Sequence, residues 1–159
     1  MKTLQPNSRF CFGCGMENPI GLKIMFYQTG PDEVTAECKL GEEYQGYPGV
    51  AHGGIVAAML DEVAARSLMG GKPTRFMYTA KLNIKYRNNV PIGQPLRLVG
   101  KVVKVKKQTA TAKGAVYGPD QDLLAEAEAL LINVPDGVID SADLVSLGWK
   151  EYPEWEKSL

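Results

Sequence analysis

Apolar and polar residues alternate from Leu22: Leu22, Ile24 and Phe26 interleave with Lys23, Met25 and Tyr27. After the turn cluster Thr29-Gly30-Pro31-Asp32 the alternation resumes, with Val34, Ala36, Cys38 and Leu40 set against Thr35, Glu37 and Lys39. Strand side chains point to opposite faces in turn, so the two runs predict an antiparallel hairpin. Gly41–Gly49 reads as a loop. The period then changes: from Gly53 to about Met69 the chain reads as one long helix, apolar on every face between Ile55 and Leu60 and therefore buried. Gly70, Gly71 and Pro73 end it. Four more strand-like runs follow: Tyr78–Tyr86, Leu96–Val105 after a Pro91–Pro95 turn, Thr109–Tyr117, and Leu123–Ile132 after Gly118-Pro119-Asp120. The residues up to Pro19 read as irregular. The tail from Pro135 is polar apart from Leu144, Leu147, Trp149 and Trp155, with a short helix expected from Ser141.

The order β-β-α-β-β-β-β predicts an α+β fold, one antiparallel sheet covering one helix. Small residues recur where the two would meet. They are Ala110, Ala112 and Gly114 on one strand, Ala125, Ala127 and Ala129 on the next, and Ala57, Ala58, Ala64 and Ala65 on the helix. They let a sheet curl closely around a helix. The open edges and the second sheet face need cover, so at least a dimer is expected. The chain divides into an irregular segment 1–20, a domain over 21–133 and a tail over 134–159 that packs on the outside.

Composition narrows the function. At 159 residues the chain is long enough for one domain. Lys+Arg and Asp+Glu both number 18, which argues against general nucleic-acid binding but leaves room for a local basic patch. No apolar run approaches the ~18–20 residues of a membrane span. Met1–Phe10 lacks a basic stretch followed by an apolar one, so no signal peptide is expected and the cytoplasm is the expected compartment. Three cysteines make no disulfide framework. The Cys11-x-x-Cys14 pair supplies half of a zinc site, Cys38 belongs to a strand interior, and only a site shared between subunits would complete the ligand count. The pair is read as a turn, and neither a metal nor a cofactor is expected. His52 is the single histidine, which excludes a His-rich metal site and any mechanism that needs two histidines in one subunit.

Candidate chemistry concentrates between Gly49 and Glu62. Gly53-Gly54 opens the helix, where the first N–H groups have no intrahelical partner and the dipole favours negative charge. A ligand oxygen can approach closely there, and the spot suits a developing oxyanion. His52 stands immediately before. Asp61 and Glu62 sit about two turns into an otherwise apolar helix, where a carboxylate needs a partner, a cleft or an interface. Asp61 follows Gly54 by seven residues, about 10 Å of helix axis at ~1.5 Å per residue. One subunit's carboxylate therefore falls short of a carbonyl held at its own Gly54, and an antiparallel second subunit would supply it.

The run His52-Gly53-Gly54 with Asp61 resembles the hotdog-fold thioesterase superfamily, in particular its acyl-CoA and phenylacetyl-CoA-type thioesterases. Cys11-Phe12-Gly13-Cys14-Gly15 through Leu22, Thr79–Tyr86 and Val90–Leu96 resemble other parts of such chains. The resemblance implies a long helix wrapped by a six-stranded antiparallel sheet. It implies a homodimer or homotetramer with a continuous sheet across two subunits, and an acyl-CoA substrate bound between them. The Gly54 N–H would polarise the thioester carbonyl, with Gly53 beside the substrate. Asp61, rather than Glu62, would activate water or attack directly. His52 would position the thioester, and Thr79 would hold the water or place the carboxylate. By alternation, however, Thr79 shares a face with Lys81, Asn83 and Lys85, away from the apolar set. Lys85 and Arg87 are the candidates for CoA phosphates. A non-catalytic acyl-CoA binder and a hotdog hydratase are the rival readings, and the carboxylate and the Gly-Gly spacing favour the hydrolase.

Overall fold

A computed structural model describes residues 1–158. The long helix after His52, α1, runs Gly53–Arg66. Val56, Met59, Leu60 and Val63 are at most 2% exposed. Each such side chain contributes about 1.5–3 kcal/mol by leaving water. The helix ends short of Met69. Ser67, Leu68 and Met69 donate their N–H groups to carbonyls three residues back, which tightens the last turn into 3₁₀ geometry. The Ser67 hydroxyl donates to Ala64 O at 2.7 Å as well.

The strands are β1 (Thr3–Leu4), β2 (Phe26–Gly30), β3 (Glu33–Lys39), β4 (Met77–Tyr86), β5 (Pro95–Val105), β6 (Thr109–Tyr117) and β7 (Leu123–Asn133). They form one sheet in the order β1-β2-β3-β5-β6-β7-β4. Neighbouring strands all pair antiparallel. The architecture is α+β and broadly hotdog-like, with seven strands where six were expected. The extra strand is a two-residue stretch, Thr3–Leu4, which is too short to show a period of its own. The first hairpin also starts later than its alternation suggests. Lys23 has φ 52°, a left-handed conformation that breaks an extended run. Leu22 and Ile24 give their N–H groups to Phe12 O and Gly13 O instead of to a strand.

Helix and sheet meet almost backbone to backbone. Gly100 of β5 pairs with Gly114 of β6, and Gly114 pairs with Ala127 of β7. A Cβ on Gly100 would run into Val63 O, and one on Gly114 would lie 2.7 Å from Leu60 O. The small-residue stripe expected from the sequence is this crossing, with Ala110, Ala112, Ala125 and Ala129 buried alongside.

The helix expected from Ser141 is α2, Ser141–Ser146, closed at its start by a reciprocal Asp140–Asp143 capping box. Beyond it Asn7 and Lys150 form an antiparallel bridge. Trp149 packs edge-on against Phe76, with ring centroids 5.3 Å apart. Among the described residues, no helix is long and apolar enough to cross a membrane.

Candidate active site

His52 is the N-cap of α1. Its carbonyl accepts from Ile55 N–H at 2.9 Å, and its Nδ1 accepts from Gly54 N–H at 2.9 Å. An accepting Nδ1 carries no proton, so the proton of the neutral ring sits on Nε2. The cap occupies one of the two glycine N–H groups at the helix start. Gly54, the expected oxyanion donor, has its N–H occupied by the imidazole. The Gly53 N–H has no hydrogen-bond partner among the described residues, and Gly53 is exposed. From β4 the Tyr86 hydroxyl donates to Gly53 O at 2.8 Å and ties the helix start to the sheet edge.

Asp61 is half-buried two turns further on. Thr79 donates its hydroxyl hydrogen to Asp61 Oδ1 at 2.6 Å. Burial raises the Asp61 carboxyl above the ordinary aspartate range, the Thr79 hydrogen bond opposes the rise, and the neighbouring Glu62 charge adds to it. Simple alternation turns Thr79 away from the helix, but β4 carries a bulge. Thr79 pairs with Leu131 and Lys81 with Leu130, so Ala80 is the extra residue. Leu131 is fully buried and Leu130 is 40% exposed, so the bulge puts Thr79 on the helix side and Lys81 on the outer side.

Glu62 serves a different neighbourhood from Asp61. Its Oε1 lies 3.0 Å from Arg66 Nε, and its Oε2 lies 3.8 Å from Cys11 Sγ. Arg66 is 1% exposed. It donates to Pro6 O at 2.6 Å and lies over the rings of Phe26 and Trp149. Cys14 is buried and Cys11 exposed. A hydrogen bond from Cys11, helped by the Arg66 charge, lowers the Cys14 thiol, and the same bond raises Cys11.

The remaining candidates lie elsewhere. Ile84 packs into the core, so Lys85 points to the sheet face away from α1, in register with Glu126. Arg87 Nη2 donates to Glu126 Oε1 at 2.8 Å. A groove of about 780 Å³ crosses this outer face, lined by Lys85, Arg97, Lys101, Lys113, Glu126 and Glu128 among others. The fold thus joins Asp61 to Thr79, groups His52, Gly53 and Gly54 at the other end of the same helix segment, and sets Lys85 and Arg87 apart from both. Sequence reasoning missed Tyr86 and Arg66. Arg66 had a signal, an i,i+4 spacing from Glu62 on an apolar helix.

With this geometry in place, residues 48–125 match the sequence profile of the thioesterase superfamily. The chain carries a hotdog-fold thioesterase-superfamily domain. The hotdog domain is similar to the acyl-coenzyme A thioesterase THEM4 of Xenopus laevis, 29% identical over 114 residues, which cover 69% of this chain and 49% of that protein. The chain spans about half the length of that relative. A crystal structure of the thioesterase superfamily protein RHA08564 superposes with a TM-score of 0.71 at 28% identity, over 78% of this chain and 63% of that one. The fold also matches smu.793 from Streptococcus mutans, solved bound to acetyl CoA, with a TM-score of 0.62 at 19% identity over 70% of this chain and 88% of that one.

Proposed function

We propose that this hotdog domain hydrolyses an acyl-CoA thioester to the free acid and CoA, at a site completed by a second copy of the chain. The observation that carries this reading is Asp61, a half-buried carboxylate held by Thr79 on a largely apolar helix. The acyl-CoA thioesterase relatives support the substrate class.

The thioester carbonyl oxygen takes the Gly53 N–H, where the helix dipole stabilises the charge that develops on it. Gly54 N–H joins once His52 turns off its cap, and His52 Nε2–H is then a donor for positioning the thioester. Asp61 of the second copy takes a proton from water as the water oxygen attacks the carbonyl carbon. The tetrahedral intermediate collapses, the C–S bond breaks, and the departing thiolate receives the proton from Asp61. Direct attack by the same carboxylate, followed by hydrolysis of the anhydride, uses the same residues. Thr79 fixes the carboxylate.

Strand β4 supports the assembly part of this reading. It is ten residues long and lies at the sheet edge, with nothing paired on its outer side among the described residues. Pairing two β4 edges about a two-fold axis continues the sheet and sets two α1 helices side by side in opposite directions. A homodimer, or a tetramer of such dimers, is the proposed state. Lys85 and Arg87 are the proposed phosphate contacts, with a phosphate replacing Glu126 on Arg87.

The test is release of free thiol from a panel of acyl-CoA thioesters by wild type and Asp61→Asn, with binding of a non-hydrolysable analogue measured on both. Turnover by wild type that disappears in Asp61→Asn while binding persists is expected. Binding without turnover by wild type would make the domain an acyl-CoA binder, and no binding would overturn the substrate class.

A further inference from the structure

Cys11, Cys14 and Glu62 take no part in the proposed hydrolysis, yet their donor atoms converge. One ligand atom from each, two sulfurs and a carboxylate oxygen, lie within 4.8 Å of one another. The Cys-x-x-Cys-Gly turn is built for this. Gly15 N–H donates to Cys11 O at 2.7 Å, and a Cβ at Gly15 would strike the Cys11 backbone. A Cβ at Gly13 would lie 2.7 Å from Glu62 Oε2, so only glycine admits the carboxylate this close to the turn. Zn–S near 2.3 Å and Zn–O near 2.1 Å in a tetrahedron put sulfur and oxygen roughly 3.6 Å apart. Cys11 Sγ and Glu62 Oε2 are 3.8 Å apart.

We infer that Cys11, Cys14 and Glu62 form a site for a zinc-type divalent cation, with its fourth position open to solvent on the Cys11 side. The surrounding contacts suit that role. Arg66 Nε holds Glu62 Oε1 at 3.0 Å and leaves Oε2 facing the sulfurs. Ser8 Oγ stands 3.6 Å from Cys14 Sγ and accepts the Cys11 N–H at 3.1 Å. Asn7 Nδ2 donates to Cys14 O at 3.0 Å. Such outer contacts fix ligand orientation in metal sites. Two thiolates and one carboxylate are balanced by a divalent ion and the Arg66 guanidinium, and binding releases the two thiol protons to solvent. Cys11 is exposed, which gives the ion an entry path. A carboxylate beside the pair repels the thiolate that disulfide exchange requires, whereas for a cation it is a third ligand. The ion would pin the N-terminal segment to α1 across a sequence separation of 51 residues.

The test uses the full chain, reduced, stripped by a chelator and titrated with Co²⁺. One cobalt per chain with a thiolate-to-cobalt charge-transfer band, bleached by stoichiometric Zn²⁺, is expected. Cys11→Ser, at an exposed position, should weaken the band and the affinity, and Ser8→Ala should weaken affinity on the order of 10- to 100-fold. Cys38→Ser should leave both unchanged. Circular dichroism confirms that each variant is folded. The inference is overturned by absence of the band in freshly reduced wild type, by a band indifferent to Cys11→Ser, or by a Cys11–Cys14 disulfide that forms in place of cobalt binding. Glu62→Gln tests the third ligand separately, and a folded Glu62→Gln protein with unchanged cobalt affinity would overturn the carboxylate's part.

Discussion

Thr79 reaches Asp61 because Ala80 does not count in the strand's alternation: the bulge turns the Thr79 hydroxyl onto the helix side, 2.6 Å from Asp61 Oδ1. That bond lowers a carboxyl that burial raises. The proposed reaction needs Asp61 ionised, so the acid limb of kcat/KM should lie above the ordinary aspartate range. Thr79→Val removes the lowering contact and should move that limb to higher pH, whereas Thr79→Ser should hold it in place. A pH–rate profile of the three proteins measures this, and a limb that Thr79→Val leaves unmoved would disconnect the pair from the chemistry.

Asp61→Asn should cost activity on the order of 10²- to 10⁴-fold, the usual contribution of a positioned acid–base group. Its stability should move the other way. With its folded value raised, Asp61 is still protonated in the fold at pH values where the unfolded chain has ionised it. Ionised Asp61 therefore weighs against folding as pH rises through that window, and the penalty is complete above the raised folded value. Denaturant melts at neutral pH should show Asp61→Asn more stable than wild type, with the difference vanishing in acid below the unfolded value. Equal midpoints at neutral pH would mean that the carboxylate is better solvated than its burial indicates.

His52→Ala deletes the side-chain cap on Gly54 N–H. A lost N-cap costs about 0.5–2 kcal/mol. The same change removes the proposed positioning group, so kcat should fall together with stability. His52→Asn restores a cap acceptor and should recover most of the stability without the activity. Recovery of both would reduce His52 to a capping residue.

Gly100→Ala should be among the costliest single methyl additions in the chain, because the new Cβ meets Val63 O, a backbone atom that cannot rotate away. Overpacking usually costs ~1–3 kcal/mol, and this site belongs at or beyond the upper end. Gly71→Ala, whose Cβ would find only Pro73 O at an ordinary 3.7 Å, is the matched control. Similar unfolding midpoints for the two would show that the sheet yields at the crossing.

Much of this was legible in the chain because it repeats. The buried helix, both hairpin partners and the four later strands follow from periodicity, and the helix-facing alanines from spacing. What escaped was aperiodic. Thr3–Leu4 is too short to carry a pattern, and Lys23 leaves the extended region inside a run that alternates well. The bulge at Ala80 has no sequence signature, so alternation put Thr79 on the wrong face. Gly54 as carbonyl donor follows from the resemblance alone, and the imidazole seated on its N–H has no signature in the sequence. Glu62 meets Cys11 through tertiary packing, which no spacing rule anticipates.

At the crossing of α1 with β5 and β6, the Leu60 carbonyl faces Gly114 and the Val63 carbonyl faces Gly100. A contact made by backbone on both sides has no rotamer to change and little slack to take up. Asp61 lies between those two carbonyls along the helix, so it inherits their fixed position. In the proposed reaction, adjustment to different acyl groups falls to the helix ends and to the proposed second copy. In mechanical terms the middle of α1 is an anvil, and substrate variety is met by what moves against it.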